Sequence, residues 1–150
     1  MVSLSSEQRE LTKRTLSQIQ SAIIQLNGWN TDVASIDDWL HSSEGMRRLA
    51  ANCMLNEAIG EGLKKVDKRT DGQLLLLRPE IPWQEVMAMR NHIAHGYFDI
   101  DAEFVYGVIK NDLVPLLEAV DFFDHAVIII ICKSVGRNYY SAYLILPIGL

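Results

Sequence analysis

The sequence contains little cysteine, and the two cysteines form no recognised motif. Cys53 and Cys132 have no Cys-x-x-Cys spacing, and only scattered histidines accompany them. Zinc sites need several such ligands at short spacing, and a disulfide framework needs a larger set of cysteines. We therefore expect no metal, no other cofactor and no disulfide, and the composition favours a reducing compartment such as the cytoplasm.

Long apolar runs are also missing. An apolar run such as residues 126–132 ends at Lys133, well short of the roughly 20 residues that a membrane-spanning helix requires. The N-terminus has no basic stretch followed by an apolar one, so it lacks the pattern of a secretory signal. We expect a protein without membrane segments that stays in the cytoplasm.

Positive charge is scarce and unevenly distributed. The 150 residues contain 14 lysines and arginines against 19 acidic residues, which gives a net charge of -5. Residues 41–78 carry seven basic and five acidic groups, whereas residues 79–124 carry two and nine. Because affinity for nucleic acid comes mostly from cations that meet phosphates, broad capture of RNA is not expected. Any RNA site must be local, and the 41–78 segment or a second subunit could complete it.

Four stretches have hydrophobic residues at helical spacing, which predicts an all-α fold. Their stripes are Leu16, Ile19, Ile23 and Leu26; Leu55, Ile59, Leu63 and Val66; Val86, Met89 and Ile93; and Val105, Ile109, Leu113 and Leu116. Residues three and four apart share one face of an α-helix, so each stripe marks a face that packs into a core. We expect an up-and-down helical bundle over residues 1–120.

Capping signals indicate the ends of the first three helices. Ser5 and Gln8 have the spacing of a capping box, and the Asn-Gly pair at 27–28 is a stop signal. Residues 35–38 offer a second capping signal. The third helix is expected from about 44 to about 66.

Proline and glycine indicate the ends of the later helices. Pro82 suits the first turn of a helix that Gly96 can end. Asp99 is placed to cap the next helix, which Pro115 should kink or interrupt. Residues 121–150 are predicted to be an appended apolar extension of strand or irregular character, because β-branched residues are concentrated there.

The segment from Arg90 to Tyr97 contains the candidate catalytic residues. On the fourth predicted helix, Asn91 and His95 are four apart and lie opposite the apolar stripe, with Arg90 at its border. Histidine can act as general base near neutral pH, and arginine binds phosphate with its planar guanidinium. His95 could take a proton from a ribose 2′-hydroxyl while Arg90 stabilises charge on phosphorus. Taken alone, the spacing favours a solvated helix face with a satisfied histidine, and Tyr97 also fits a buried aromatic position because it continues the apolar stripe.

The same segment resembles the Arg-x4-His-x-Tyr motif of the HEPN superfamily, and its surroundings resemble the HepT-like branch, the toxins of HepT/MntA toxin–antitoxin pairs. Three further segments agree in the expected order, residues 56–61, 79–83 and 111–115. The resemblance covers about residues 8–120. It implies a helical homodimer whose two motifs face each other and form a composite ribonuclease site.

The resemblance also implies a role for each motif residue. Arg90 and His95 match the catalytic pair, Asn91 matches the supporting polar residue after the arginine, and Tyr97 matches the tyrosine that receives AMP from the antitoxin. That antitoxin is an MntA-like minimal nucleotidyltransferase. An adenylate on Tyr97 could pair with Arg90 and occupy the RNA phosphate site. The implied function is a metal-independent ribonuclease toxin of a type VII-like system, neutralised by AMP transfer.

Two other interpretations fit the same residues. The chain could be a non-catalytic HEPN module that docks a nucleotidyltransferase or a nucleotide, or a structural dimer with a degenerate site. Glu57 and Glu61 are four residues apart on one helix and could suggest a pair of metal ligands. No third ligand follows at the spacing of a metal site, so we favour helix packing or a contact to Arg90 as their role. The basic residues at 64–69 could help to hold RNA, although charges at a helix end are usually only solvated.

Overall fold

The described secondary structure is helical, which confirms the all-α fold class. A computed structural model describes residues 4–89, 91 and 99–134, and the side chains of residues 4–89, 91 and 99–127. The helices are α1 (Ser6–Trp29), α2 (Asp37–Leu40), α3 (Ser43–Arg69), α4 (Trp83–Met87), α5 (Ala102–Gly107) and α6 (Leu113–Ser134). A 3₁₀ turn at Leu75–Leu77 precedes α4, and a π turn at Val108–Asp112 joins α5 to α6.

Helices α1, α3 and α6 pack as an up-and-down bundle. Asn30, the residue after α1, is hydrogen-bonded to Asn52 in the first half of α3, and Arg69 at the end of α3 donates to Leu11 and Thr15 on α1, so these two helices are antiparallel. Gln20 donates to the Asp121 carboxylate over 2.7 Å, which sets α6 beside α1. The predicted stripes of α1, α5 and α6 are buried, as is that of α3 apart from half-buried Leu55.

The first helices begin where the capping signals indicated, with one difference. Ser5 and Gln8 form the predicted capping box, and the Ser42 hydroxyl accepts a hydrogen bond from the Gly45 N–H at the start of α3. In the second capping signal, Asp38 lies inside α2 and its carboxylate accepts from the N–H groups of Ala34 and Ser35. These bonds fasten the loop before α2 and lower the pKa of Asp38.

Two predictions for the later helices are wrong, namely the cap of the helix after residue 99 and the length of the fourth helix. Asp101, not Asp99, caps α5, because its carboxylate accepts from the Phe104 N–H over 2.9 Å. Helix α4 ends at Met87, so the long fourth helix predicted from Pro82 is interrupted at Ala88. The interruption expected from Pro115 takes the form of the π turn just before it, where a wider turn accommodates the missing proline N–H.

The prediction of strand or irregular structure after residue 120 is wrong for residues 121–134, because α6 continues to Ser134. Val120, Phe123 and Val127 are almost fully buried and extend the stripe that begins at Leu113. Packing against α1 therefore outweighs the β propensity of this stretch. The division of the chain at residue 120 stays a prediction, and residues 135–150 lie outside the described part.

Within the described residues, none of the helices has the length and apolar character needed to cross a membrane.

Candidate functional site

Most of the predicted motif falls outside the described residues. Arg90, His95 and Tyr97 are among the residues that the structure does not describe, whereas Asn91 is described. The Asn91 side chain is exposed, and its backbone N–H donates to the Ala88 carbonyl over 2.8 Å. The elements that lead into the motif, and the side chains that flank them, lie within the described part of the chain.

Helix α4, which leads into the motif, is fixed to the bundle at its first residue. The Trp83 indole N–H donates to the Arg78 carbonyl over 2.8 Å, and its ring lies 5.5 Å from that of Phe123 on α6. Pro79 and Pro82 both precede α4 and restrict the backbone of the segment that leads into it. The residues before proline were expected to be extended, but the segment forms a turn, in which the Ile81 N–H donates to the Arg78 carbonyl over 3.3 Å and the Trp83 N–H donates to the Ile81 carbonyl over 2.8 Å.

The far end of α4 packs directly on the backbone of α3. A Cβ atom at Gly60 would lie 3.1 Å from the Val86 carbonyl oxygen and 3.5 Å from that of Met87. The 3.1 Å contact is tighter than an ordinary van der Waals contact, so a residue without a side chain favours this close approach. Met87 and Met89 are buried, so the chain is held against the core up to the residue before Arg90.

One helical turn before Gly60, Asn56 carries an unusual buried amide. Its side chain is 0% exposed, and neither its oxygen nor its nitrogen has a hydrogen-bond partner in the described part of the chain. An unpaired buried polar group is unfavourable and is rare in folded proteins. Asn56 begins the 56–61 segment of the family resemblance, but its burial was not predicted, although an asparagine beside the apolar stripe of the third helix was an available signal.

A second buried amide lies one turn further back and is fully paired. Asn52 and Asn30 exchange two hydrogen bonds of 2.9 Å, and the Asn30 amide nitrogen also donates to the Leu26 carbonyl over 2.7 Å. Both side chains are almost completely buried. This pair links the end of α1 to α3 and helps to fix the register between them.

The titratable groups near this face have simple roles. Burial, followed by the Glu57 carboxylate, raises the pKa of the Cys53 thiol to about 11, so this cysteine stays protonated near neutral pH. Glu61 accepts a hydrogen bond from Lys64 over 2.8 Å. Among the described residues, no three acidic, histidine or cysteine side chains group closely enough to hold a metal ion.

Comparison with known proteins identifies relatives of this helical region. The family described as Ribonuclease HepT-like matches residues 29–122. The "Probable ribonuclease HepT" of Thermococcus cleftensis is 35% identical over 60 residues, which are 40% of this chain and 51% of the relative. The "Putative RNase MJ1380" of Methanocaldococcus jannaschii is 33% identical over 43 residues, 29% of this chain and 39% of the relative.

These matches are partial in length. The chain spans about half of the archaeal HepT relative and a smaller share of the second one. No solved structure matches the chain. The family match nevertheless covers most of the chain, from the last residue of α1 into α6, and includes the predicted motif. The chain therefore belongs to the HepT-like ribonuclease family.

Proposed function

We propose that this protein is a metal-independent endoribonuclease and the toxin of a toxin–antitoxin pair. The family match over residues 29–122 carries the proposal, because that region contains Arg90 and His95 at the motif spacing. The names of the two relatives, a probable ribonuclease and a putative RNase, support the same reaction class. RNA is the proposed substrate.

The proposed reaction is an intramolecular attack on the phosphodiester. His95 removes the proton from a ribose 2′-hydroxyl, the oxygen attacks the adjacent phosphorus, and the 5′-oxygen leaves with a proton from an acid in the site. The Arg90 guanidinium stabilises the negative charge that develops on the phosphoryl oxygens. The products are a 2′,3′-cyclic phosphate and a 5′-hydroxyl, and Asn91 is the proposed supporting polar group.

We further propose that two copies form the active unit. One motif supplies one histidine and one arginine, whereas the reaction uses a base, an acid and a cation. A homodimer with facing motifs would supply a second set of these groups across the interface. This arrangement would also bring a second Arg90 to the site, within residues 79–124, where Arg90 and Lys110 are the only basic residues.

The chemistry can be tested with a substrate that lacks one hydroxyl. An RNA oligonucleotide with a single 2′-deoxy sugar at the cleaved position should resist the enzyme, while the all-ribose oligonucleotide yields the cyclic phosphate. Cleavage of the deoxy substrate, or products with 5′-phosphates, would contradict the proposed attack. Binding of RNA without cleavage would favour the alternative function, a non-catalytic module that docks a nucleotidyltransferase or a nucleotide.

Tyr97 is the proposed point of regulation, and the proposed partner is an MntA-like minimal nucleotidyltransferase. Transfer of AMP would place a phosphate two residues from His95, where it could compete with the RNA phosphate for Arg90. Mass spectrometry after co-expression with a neighbouring nucleotidyltransferase should find an adenylate on the peptide that contains Tyr97. The Tyr97→Phe variant is the matched control and should carry no adduct. An unmodified wild-type peptide would contradict this mode of neutralisation.

A further inference from the structure

A long surface groove runs between α1 and α3 on the side of α3 that faces away from α4. The groove has a volume of about 750 Å³ and extends along α1 from Leu11 to Gln25, which corresponds to about 20 Å of helix. Gly62 forms part of its floor, where a Cβ atom would lie only 2.9 Å from Ile19. Gly60, by contrast, faces α4, and no residue of α4 lines the groove.

The groove is locally basic in an acidic protein. Arg14, Lys65 and Arg69 line it, and Glu61 is the one acidic residue among the described lining residues. Glu61 is hydrogen-bonded to Lys64, which partly neutralises it. The net charge of the lining is therefore positive although the chain carries -5, so the groove favours an anionic ligand.

One of these cations is held in place before any ligand binds. The Arg69 guanidinium donates to the Leu11 carbonyl over 3.2 Å and to the Thr15 hydroxyl over 2.7 Å. Both contacts come from α1, so Arg69 fixes the end of the groove. Arg14 and Lys65 are exposed, and their charged groups are accessible to a ligand. A fixed cation loses little conformational freedom when it binds an anion.

The remaining lining indicates which part of an RNA would bind. Apolar side chains such as Leu11, Ala22 and Leu55 form much of the groove, and hydroxyl and amide side chains, including Ser17, Gln18 and Gln25, lie among them on the α1 side. None of the described lining residues is aromatic, so the groove has no stacking platform for bases. Cations with hydroxyls and amides are the groups that contact phosphates and sugars without reading sequence.

We propose that this groove binds the sugar–phosphate backbone of single-stranded RNA outside the cleaved dinucleotide. The inference deepens the proposed ribonuclease function and rests on it for the identity of the ligand. A chain with a net charge of -5 repels RNA as a whole. In this proposal the affinity for RNA comes from the positive charge of one groove, not from the net charge of the chain. Residues 41–78, the basic segment of the sequence, supply Lys65 and Arg69 to it.

The test measures the salt dependence of binding to a 2′-O-methyl oligonucleotide of about 10 nucleotides. This probe lacks the free 2′-hydroxyl and is not cleaved, so the wild-type protein can be used. Each phosphate contact in a single strand contributes about 0.7 to the slope of log affinity against log salt concentration. Arg14→Gln with Lys65→Gln should lower the magnitude of that slope by about 1.4. Both positions are exposed on helices, and glutamine preserves helix propensity.

Arg47→Gln is the matched control, because it removes one exposed arginine from α3 outside the groove. Its slope should equal that of the wild type, whereas Arg14→Gln alone should lower the slope by about 0.7. The proposal places only nucleotides outside the cleaved dinucleotide in the groove, so cleavage of a dinucleotide should be the same in the groove variants and the wild type. Arg69 is left intact because its bonds hold α3 to α1.

Three results would overturn the inference. These are no binding of the oligonucleotide, a slope unaffected by the double substitution, or an equal loss of slope in Arg47→Gln. If the double variant keeps its RNA slope but no longer binds the nucleotidyltransferase, the groove is a protein-docking surface instead. The two proposals fail separately: a wild-type protein that cleaves no RNA but shows the expected slopes contradicts the ribonuclease function and supports the groove.

Discussion

Two buried asparagines on α3 provide a matched test of how polar burial sets the stability of this fold. Asn52 and Asn56 are one helical turn apart, and both are 0% exposed. The Asn52 amide is paired with Asn30, whereas the Asn56 amide has no partner among the described residues. Leucine has the same number and branching of side-chain heavy atoms as asparagine. The same substitution should therefore have opposite effects at the two positions.

The magnitudes follow from the hydrogen bonds. A buried polar group left unpaired costs about 1–3 kcal/mol. Asn56→Leu removes such a group and should raise the free energy of unfolding by about 1–3 kcal/mol. Asn52→Leu removes two hydrogen bonds and leaves the side-chain oxygen of Asn30 unpaired. It should therefore lower the free energy of unfolding by a similar amount. Replacing both Asn30 and Asn52 by leucine should recover part of the loss, because neither amide is then left alone.

Thermal and urea unfolding of the purified variants measure these differences. For a chain of this size, 1 kcal/mol corresponds to a change in Tm of about 2–4 °C. We expect Asn56→Leu to melt above the wild type and Asn52→Leu below it. If both variants were destabilised equally, the Asn56 amide would be paired in the folded protein and the reasoning would be refuted.

Two further predictions concern backbone packing and pH. Gly45→Ala should destabilise the protein by about 1–3 kcal/mol in urea unfolding, because the new Cβ would lie 2.4 Å from the Asp38 carbonyl oxygen, whereas Gly28→Ala, with nothing within 4 Å, should be neutral or stabilising; equal effects would contradict the close packing of α2 on α3. The Asp38 carboxylate has a lowered pKa because it accepts bonds from Ala34 and Ser35, so its stabilising contribution is present above the unfolded pKa and is lost as pH falls through the folded pKa. The stability difference between wild type and Asp38→Ala should therefore disappear in acid, and a difference that persists there would contradict this linkage.

The helical bundle could be predicted from the sequence because its apolar stripes are long and regular. Leu16, Ile23, Leu63 and Leu113 are fully buried as expected. The prediction of strand or irregular structure after residue 120 was wrong for residues 121–134 because it relied on local propensity. β-Branched residues favour strands when their packing is not considered. Val120 and Phe123 continue the helical stripe, and burial of this face decides the structure. Tertiary contacts of this kind are not encoded in a local window.

The residue pattern of the candidate site is visible in the sequence, whereas its surroundings are not. Arg90 and His95 can be picked out by their spacing in the sequence, and both positions lie within the region that the family matches. The close approach of α4 to Gly60 depends on a contact between residues 26 positions apart. Asn52 is paired with Asn30, a residue 22 positions away. Among the described residues Asn56 has no such partner, and nothing in the local sequence distinguishes these two asparagines.

The central claim is that His95 and Arg90 cleave RNA without a metal ion. The most direct measurement is the rate of RNA cleavage in excess EDTA by the wild type and by His95→Ala, with unfolding curves to establish that both are folded. We expect the wild type to retain its full rate in EDTA and His95→Ala to lose at least ~100-fold, the usual contribution of a general acid or base. Cleavage abolished by EDTA, or undiminished in His95→Ala, would contradict the account.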